Sequence, residues 1–316
     1  MKEPLIITTE GSRYFAQLIS NQLGIDIQEL KTKHFPGGEL YHRFLSDNRL
    51  EFLNRDIILV TSTDTDENIE TLYRCGCALQ KFGAHKLIFV IPFLGYSTME
   101  RGVKPNEVVA LKTQTRRFSA IPQASSGNFF LMMDLHVSGT VHYFEGDARP
   151  FELYAEPVLT KAIEEIIAPD FNNLIFASAD LGRPYWVKAY ANKFKAKMAF
   201  VDKTRFENNT EVFAVIGNVE DKDVIIYDDM TRSGGTLIHA AQAYLNEGAR
   251  SVSAVLSHGA FDNIGVAKLL DESPLKRIVM TNTHPMSQQP IIPFSDKIYA
   301  VDVSPIFADV IRQIIE

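Results

Sequence analysis

The residues best suited to chemistry lie in the stretch DDMTRSGGT, at positions 228–236. Gly234 and Gly235 allow the backbone to approach a ligand closely, and Ser233 and Thr236 supply hydroxyl donors. A small-residue loop that opens a helix presents N–H groups that favour an anion such as phosphate. Two adjacent carboxylates would repel that phosphate, so we expect them to bind the vicinal hydroxyls of a ribose. The stretch therefore predicts a ribose 5-phosphate site, and its alternative is a tight strand–helix turn with acids in solvent.

Apolar residues on both sides of this stretch indicate the elements that would hold it in place. Residues 224–227, of sequence VIIY, form a short apolar run typical of a buried strand. Leu237, Ala241, Tyr244 and Leu245 then recur at the spacing of one helix face. Strand patterns alternate with helix patterns along the chain, which predicts an α/β fold with mainly parallel sheets flanked by helices. Ligands in such folds bind at the carboxyl ends of strands.

The same patterns give approximate bounds for the elements. The predicted strands cover residues 5–9, 40–44, 57–61, 87–91, 129–133, 174–177, 198–201, 224–227, 252–256 and 277–280. The predicted helices include residues 12–23, 67–82, 153–167, 185–194 and 306–315. Residues 202–211, of sequence DKTRFENNTE, are predicted to form a charged polar loop.

A short internal repeat predicts that the chain consists of two related halves. Ala84 and the strand after it are mirrored at Ala249, 165 residues later, and Asp56 is mirrored at Asp223, 167 residues later. Because the two offsets are nearly equal, we expect the boundary near Pro150. The predicted domains are residues 1–149 and residues 150–305.

Composition and charge restrict the class of protein. The chain has 316 residues, 46% of them hydrophobic and 22% charged, which is typical of a globular protein of about two domains. The formal net charge is -7, so no broad basic surface for nucleic acid is expected. Cys75 and Cys77 are too few for a zinc site and badly spaced for a disulfide. No apolar run reaches the roughly 20 residues that a membrane helix needs, so a cytoplasmic protein without a membrane partner is expected.

Six polar loops follow predicted strands, and together they resemble those of one enzyme family. The loops are FPGGE at 35–39, GYSTMER at 95–101, DLH at 134–136, SADLG at 178–182, DKTR at 202–205 and DDMTRSGGT at 228–236. In this order, over nearly the whole chain, they resemble the ribose-phosphate pyrophosphokinases, also called PRPP (phosphoribosyl diphosphate) synthetases. The last loop also resembles the PRPP motif of type I phosphoribosyltransferases, but such an enzyme is not expected to carry two halves with the first five motifs.

The resemblance implies an activity, a fold and an assembly. The family transfers the β,γ-diphosphoryl group of ATP to the anomeric hydroxyl of ribose 5-phosphate, with Mg²⁺ as cofactor, and AMP leaves. Such a transfer depends on positioning and on neutralising phosphate charge. The implied fold is two similar type I phosphoribosyltransferase-like domains, with a C-terminal helix at 306–316 that packs on the first. The implied assembly is a homo-oligomer, either a dimer or a hexamer.

The resemblance also implies roles for single residues at the acceptor and metal sites. Asp228 and Asp229 match the ligands of the ribose hydroxyls. His136 and Asp180 match the metal-contacting positions, and the alternatives for them are a structural histidine and a helix N-cap. The positions that match the ribose-phosphate loop are Thr231, Arg232, Ser233, Gly234, Gly235 and Thr236.

The remaining matches concern ATP and the transferred group. Lys203 and Arg205 match the basic pair on the family's mobile catalytic loop, which would stabilise the transferring diphosphoryl group. The alternative for this pair is an ordinary solvated loop. The loop that matches at Phe35 comes from a neighbouring subunit in the family. The positions that match the ATP-binding loops are Phe35, Glu39, Glu100 and Arg101.

Departures from the family pattern leave the acceptor open. Gly37 replaces an acid, and Thr98 and Met99 replace an arginine and a glutamine of the ATP loop. Arg183 and Arg232 add positive charge near the acceptor, where arginine suits phosphate. One alternative is therefore the same transfer to ADP-ribose, giving ADP-ribose pyrophosphate for NAD salvage, with Arg183 as a candidate for the extra phosphate. The other alternative is a catalytically silent, regulatory member of the family.

Overall fold

The predicted alternation of strands and helices is present, and it builds two sheets. The computed structural model describes residues 2–180, 184–205, 211–288, 292 and 295–316, with the backbone alone at 203–205 and 211–213. Within that part of the chain, each sheet has seven strands. One unit consists of Met1–Tyr154 and Val303–Glu316, and the other is Ala155–Asp302.

The first unit holds a sheet in the strand order β3-β2-β1-β4-β5-β6-β7. Its strands are β1 (Leu5–Thr8), β2 (Ile27–His34), β3 (Leu40–Phe44), β4 (Asp56–Val60), β5 (Lys86–Ile91), β6 (Asn128–Met133) and β7 (Arg149–Leu153). Its first three helices are α1 (Arg13–Leu23), α2 (Asp66–Lys81) and α3 (Ala110–Ser119). The pair β2–β3 is antiparallel, and the other neighbours in the sheet are parallel.

The second unit repeats this arrangement in the order β10-β9-β8-β11-β12-β13-β14. Its strands are β8 (Leu174–Ala177), β9 (Lys197–Arg205), β10 (Glu211–Ile216), β11 (Asp223–Thr231), β12 (Ser251–Gly259), β13 (Ile278–Thr281) and β14 (Ile298–Val301). Its helices are α4 (Glu156–Ala162), α5 (Pro184–Lys193), α6 (Gly235–Asn246) and α7 (Asn263–Asp271). Here β9–β10 is the antiparallel pair. The matching topologies confirm the predicted α/β fold with two similar, mainly parallel sheets.

The repeat extends to single backbone angles at the turns before β4 and β11. Asn54 and Asp221 both have a φ of 54°, in the left-handed region. The Asn54 amide donates to the Gly83 carbonyl at 2.9 Å, and the Asp221 amide donates to the Gly248 carbonyl at 2.9 Å. These pairs show the offsets of 165 and 167 residues that the sequence displays.

A charged pair holds the first residues of the two central strands in each unit. In the first unit, Asp56 Oδ1 lies 2.7 Å from His85 Nδ1. In the second unit, Asp223 Oδ2 accepts a hydrogen bond from Arg250 Nη2 at 2.7 Å. Because each acid begins one strand and its partner precedes the next, the pair fixes the neighbouring strands in register at their amino ends.

The Asp223→Asn variant is expected to lose less stability in acid than the wild-type protein. Burial raises the pKa of the Asp223 carboxyl, but hydrogen bonds from Arg250, the Asp170 amide and Ser251 outweigh this effect and lower the pKa to about 2. A carboxyl with a lowered pKa stabilises the fold above its unfolded pKa of 3.8, and this contribution is lost as the pH falls through about 2. Melting temperatures between neutral and acidic pH check the prediction. Equal slopes in Asp223→Asn and in the exposed control Asp296→Asn would contradict it.

Two segments differ from the sequence-based expectation because strand pairing extends further than the apolar pattern. Residues 149–153 form β7 on the first sheet, so the next helix begins at Glu156 and not at residue 153. The predicted polar loop begins instead as strand, since β9 continues to Arg205 and pairs with β10. Residues 206–210 of that loop lie outside the described residues.

The last helix of the chain, α8 (Ser304–Ile315), packs on α1 in the first unit. Its apolar face buries Phe307, whose ring centroid lies 5.3 Å from that of Phe15. The Gln22 amide group also donates to Ser304 Oγ at 2.7 Å. Among the described helices, none has the length and apolar character needed to cross a bilayer.

Candidate active site

The acid pair lies at the end of β11, the central strand of the second sheet. The strand continues through Asp228 and Asp229 to Thr231, whereas the sequence predicts its end at Tyr227. Pairing with β12 stabilises the added length, and Thr231 lies opposite Gly259 in that register. Asp229 is buried, Asp228 is half-buried, and Asp228 Oδ1 accepts a hydrogen bond from the Asp229 amide at 2.9 Å. The two carboxylates are therefore held on a long, paired strand and not on a loop.

Asp180 leaves the same sheet beside the acid pair. It follows β8, whose last paired residue, Ala177, lies opposite Ile226 of β11. Asp180 and Asp229 each come three residues later, and neighbouring strands are about 4.8 Å apart. The side chain of Asp180 is exposed. Arg183 lies outside the described residues.

The N-terminus of α6, directly after the loop, differs from that of its counterpart α2. Within the described part of the chain, no side chain caps α6, which starts from Gly234 without an acid in its first turn. In α2, Thr65 accepts a hydrogen bond from the Asn68 amide at 3.1 Å, and Asp66 and Glu67 occupy the first turn. The first helix thus supplies its own anionic and hydroxyl partners. The N–H groups of α6 suit an external anion such as phosphate.

Two glycines let the loop pack tightly against α7. Gly234 has a φ of 73°, and a Cβ there would lie 2.8 Å from Leu269 Cγ. A Cβ on Gly265 would lie 2.7 Å from the Arg232 carbonyl oxygen. The shape of the loop therefore depends on contact with α7 as well as on its own sequence.

Replacing Gly234 by alanine is expected to lower the free energy of unfolding by about 1–2 kcal/mol for the left-handed backbone alone. The contact with Leu269 adds to this cost, and the displaced loop raises the KM for a phosphate-bearing acceptor. Chemical denaturation and acceptor titration measure the two effects. Gly24→Ala is the matched control, because Gly24 has a φ of 67° with no atom within 4 Å of its Cβ position. Equal stability losses in the two variants, with an unchanged KM, would contradict the packing argument.

Lys268 of α7 also reaches the loop, and the sequence motifs do not indicate it. Its Nζ lies 4.0 Å from the position that a Cβ would occupy on Gly235. Lys268 precedes Leu269, which packs on Gly234, so the helix that supports the loop also brings an ammonium group to it. The sequence carries no local signal for this residue, because its position depends on how α7 packs.

Hydroxyl groups and a histidine form a buried network at the ends of β12 and β13. Tyr227 Oη lies 3.0 Å from Ser257 Oγ, and Thr281 Oγ1 lies 2.8 Å from Thr283 Oγ1. His258 Nδ1 lies 2.7 Å from Thr283 Oγ1. Because buried polar groups that are hydrogen-bonded resist displacement, this network makes the strand ends a firm base for the neighbouring loops.

His284 follows this network and is neutral at physiological pH. Burial lowers its pKa to about 3, and the charges of His258 and Arg232 lower it further in the same direction. Its Nδ1 accepts a hydrogen bond from the Met286 amide at 3.1 Å, so the ring proton lies on Nε2. The positive field that keeps His284 neutral comes in part from the arginine of the phosphate loop.

The predicted catalytic pair, Lys203 and Arg205, lies on the backbone of β9. Lys203 pairs with Phe213 and Arg205 with Glu211 across the antiparallel hairpin. Residues two apart on a strand share a face, so the pair is expected to point the same way. The side chains of both residues lie outside the described part of the structure.

In the first unit, Phe35 and Glu39 occupy the tip of the β2–β3 hairpin. The hairpin projects beyond the last pair of β1 and β2, which joins Thr8 and Glu29. The Phe35 amide donates to the Glu39 carbonyl at 2.9 Å, which closes the turn. The Phe35 ring is 42% exposed, and Lys33 Nζ lies 4.4 Å from its centroid. An exposed aromatic ring beside an ammonium group suits a planar base that carries phosphates.

Glu100 and Arg101 follow β5 and are separated from that hairpin by the strands β1 and β4. Three strand spacings amount to about 14 Å, so the unit does not bring the two predicted ATP loops together. Glu100 is buried and its carbonyl accepts a hydrogen bond from the Tyr143 hydroxyl at 2.9 Å. Arg101 is exposed, with its Nε 3.4 Å from Glu100 Oε1.

The predicted metal residues lie in different units, His136 in the first and Asp180 in the second. His136 is half-buried and follows β6 through Asp134, which has a φ of 39°. Among the described residues, no group of three or more His, Cys, Asp and Glu side chains is arranged to hold a metal ion.

Comparison with known proteins relates these features to one family. The sequence profile for the N-terminal domain of ribose phosphate pyrophosphokinase matches residues 5–121, and the phosphoribosyl synthetase-associated domain matches residues 189–316. The ribose-phosphate pyrophosphokinase of Brucella melitensis is 30% identical over 277 residues, which cover 86% of this chain and 85% of that protein. The corresponding protein of Clostridium tetani is 29% identical over 302 residues, or 95% and 91% of the two chains.

A solved structure supports the fold across the whole chain. The phosphoribosylpyrophosphate synthetase of Mycobacterium smegmatis superposes with a TM-score of 0.85 and covers 99% of both chains. The two sequences are 19% identical, so this likeness concerns the fold.

Proposed function

Because the chain belongs to the ribose-phosphate pyrophosphokinase family, we propose that it transfers the β,γ-diphosphoryl group of ATP to the anomeric hydroxyl of ribose 5-phosphate and releases AMP. The observation that carries the proposal is the junction of β11 and α6. An acid pair on a central strand leads into a helix that, among the described residues, has no side-chain cap. The corresponding helix of the first unit starts from Thr65, which caps it, and carries two acids. Only the second junction has the chemistry for a ribose with a phosphate.

The roles in the acceptor site follow from charge. Asp228 and Asp229 accept hydrogen bonds from the ribose hydroxyls, and a carboxylate bond of this kind contributes about 1.5–3 kcal/mol. The amides and hydroxyls of the phosphate loop bind the 5-phosphate. The residues of that loop are Thr231, Arg232, Ser233, Gly234, Gly235 and Thr236.

Mg²⁺ fits the donors that the chain offers. Magnesium is held by few protein ligands and completes its shell with phosphate oxygens and water, so it does not require a cluster of three side chains. The exposed carboxylate of Asp180 and the imidazole of His136 are the two protein donors we propose. When bound, the ion supplies positive charge against the oxygens of the diphosphoryl group.

Lys203 and Arg205 are proposed to stabilise the transferring diphosphoryl group. The transfer passes through a state with charge spread over several oxygens, and a fixed cation lowers its energy. The pair lies two residues apart on β9, which projects past the end of β8. Both cations are therefore expected to face the group at once.

ATP is proposed to bind at Glu100 and Arg101, with Phe35 and Glu39 supplied by a second copy of the chain. The hairpin tip and the loop after β5 are too far apart in one unit to share a nucleotide. The exposed Phe35 ring would then cover the base of ATP bound to a neighbour.

This arrangement predicts a homo-oligomer, either a dimer or a hexamer, as the active species. Light scattering coupled to gel filtration, together with an activity profile across the column, checks the prediction. Phe35→Ala should lower the affinity for ATP without dissociating the oligomer. Turnover by a monodisperse monomer would refute the shared site.

A second candidate acceptor is ADP-ribose, which would give ADP-ribose pyrophosphate and a role in NAD salvage. The observation that favours it is the exposed Arg232 in the phosphate loop, since arginine suits a further phosphate. Arg183 is proposed for the same group, although it lies outside the described residues.

The test is AMP formation from ATP and Mg²⁺ with ribose 5-phosphate or ADP-ribose at equal concentration. A preference for ribose 5-phosphate supports the first proposal, and a preference for ADP-ribose supports the second. If neither acceptor yields AMP, the chain is a catalytically silent member of the family.

A further inference from the structure

Lys268 is the half-buried cation that approaches the phosphate loop from outside the motif. Its Nζ lies 4.0 Å from the Cβ position of Gly235, the first residue of α6. The Cα–Cβ bond of a helical residue points to the side of the helix and not along its axis. Lys268 therefore flanks the first turn and leaves free the space in front of the N–H groups, where a first phosphate binds.

Within the described part of the chain, no carboxylate pairs with the Lys268 ammonium group. Asp271 and Glu272 lie one turn further along the chain, at the spacing where ion pairs form on a helix, yet neither makes one. Asp262 lies nearer the loop, but its Oδ1 accepts a hydrogen bond from the Gly265 amide at 2.7 Å and caps α7. A half-buried ammonium group without a carboxylate partner favours an anionic ligand.

Arg232 adds a second cation on the same side of the loop. Its carbonyl oxygen lies 2.7 Å from the Cβ position of Gly265, so it is in contact with α7. Arg232 and Lys268 thus belong to the same contact between the loop and α7. The nearby His284 is neutral and supplies no opposing charge.

We propose that Lys268 binds a second phosphate of the acceptor, so that the site takes a ribose carrying a 5′-diphosphate in preference to one carrying a single phosphate. This inference rests on the proposed function, since it requires the first phosphate to bind at the N-terminus of α6. The second phosphate of a diphosphate is directly bonded to the first through an oxygen. It therefore extends sideways from the helix end to a cation at the flank of the first turn.

Calorimetric titration of the full chain with ribose 5-phosphate and with ADP-ribose tests the proposal. Lys268→Gln should weaken ADP-ribose binding about tenfold, the effect of one charge-assisted hydrogen bond, and change ribose 5-phosphate binding less than about twofold. Lys268→Arg keeps the charge and should retain most of the affinity. Lys276→Gln removes the same charge from an exposed position before β13, at the amino end of the sheet, and should change neither affinity.

Equal losses for the two acceptors, or no loss for ADP-ribose, would overturn the role of Lys268. Failure of the wild-type protein to bind ADP-ribose while it binds ribose 5-phosphate would also overturn it and leave the proposed function intact. If the wild-type protein binds neither acceptor, both the inference and the proposed function fail. Melting temperatures of the variants, compared with that of the wild type, separate a loss of binding from a loss of folding.

Discussion

Replacing Lys203 by alanine is expected to reduce kcat by roughly 10²–10³-fold, the cost of removing one fixed stabiliser of transition-state charge. The effect should fall on kcat more than on the KM for either substrate, because the cation acts on charge that develops during transfer. AMP release under saturating ATP and acceptor measures it. The fold should be unchanged, because position 203 lies on a hairpin that projects past β8 and not in the core.

Lys197→Ala is the matched control for this experiment. Lys197 is the first residue of the same strand, is exposed, and lies at the opposite end from the proposed site. Its replacement should leave kcat unchanged. If Lys203→Ala turns over as fast as Lys197→Ala, the β9–β10 hairpin has no part in the reaction.

The double replacement Asp228→Asn and Asp229→Asn is expected to reduce kcat/KM by roughly 10²–10⁴-fold. Each carboxylate loses a charge-assisted hydrogen bond of about 1.5–3 kcal/mol, and the two losses combine at one ribose. Binding of the acceptor, measured by calorimetry, should weaken in parallel. ATP binding should change little, since the pair is proposed to contact the acceptor.

The control for this pair is the double variant Asp271→Asn and Asp296→Asn. It removes the same two charges from exposed positions of the same unit. The net charge is then matched, so a difference between the two double variants reports on the acceptor site itself. Equal acceptor affinity in both would show that the carboxylates of β11 bind no ribose.

The architecture could be predicted from sequence because its main strands are buried on both faces. β4 and β5 are buried along nearly their whole length, and such strands give continuous apolar runs. The predicted strands at 57–61 and 87–91 match them within one residue. The internal repeat was visible for a related reason, since the turns at Asn54 and Asp221 share a backbone conformation that limits their residue types.

The edge hairpins could not be predicted in the same way. β2 is exposed over most of its length, so its residues do not alternate between apolar and polar. The strand character of residues 202–205 depends on pairing with residues 211–214, and this pairing leaves no apolar trace in the local sequence. The same reason explains why the end of β11 was placed at Tyr227, although pairing with β12 carries it to Thr231.

The phosphate loop shows the same division between local and long-range information. Its glycines and hydroxyls stand in one stretch of sequence, and their chemistry could be inferred from that stretch alone. Lys268 and Gly265 approach it from a separate helix, and only the packing of α7 brings them there. The roles of all these residues in binding remain predictions that the experiments above address.

The contact between α1 and α8 has a consequence for the order in which the chain folds. The first unit joins residues near both ends of the sequence, as in the pair Phe15 and Phe307. During synthesis, the second unit can complete its sheet before residues 304–315 have emerged, whereas α1 must wait for its partner helix. The half that begins first is therefore completed last, and until then it exposes the apolar surface of α1 that α8 later buries.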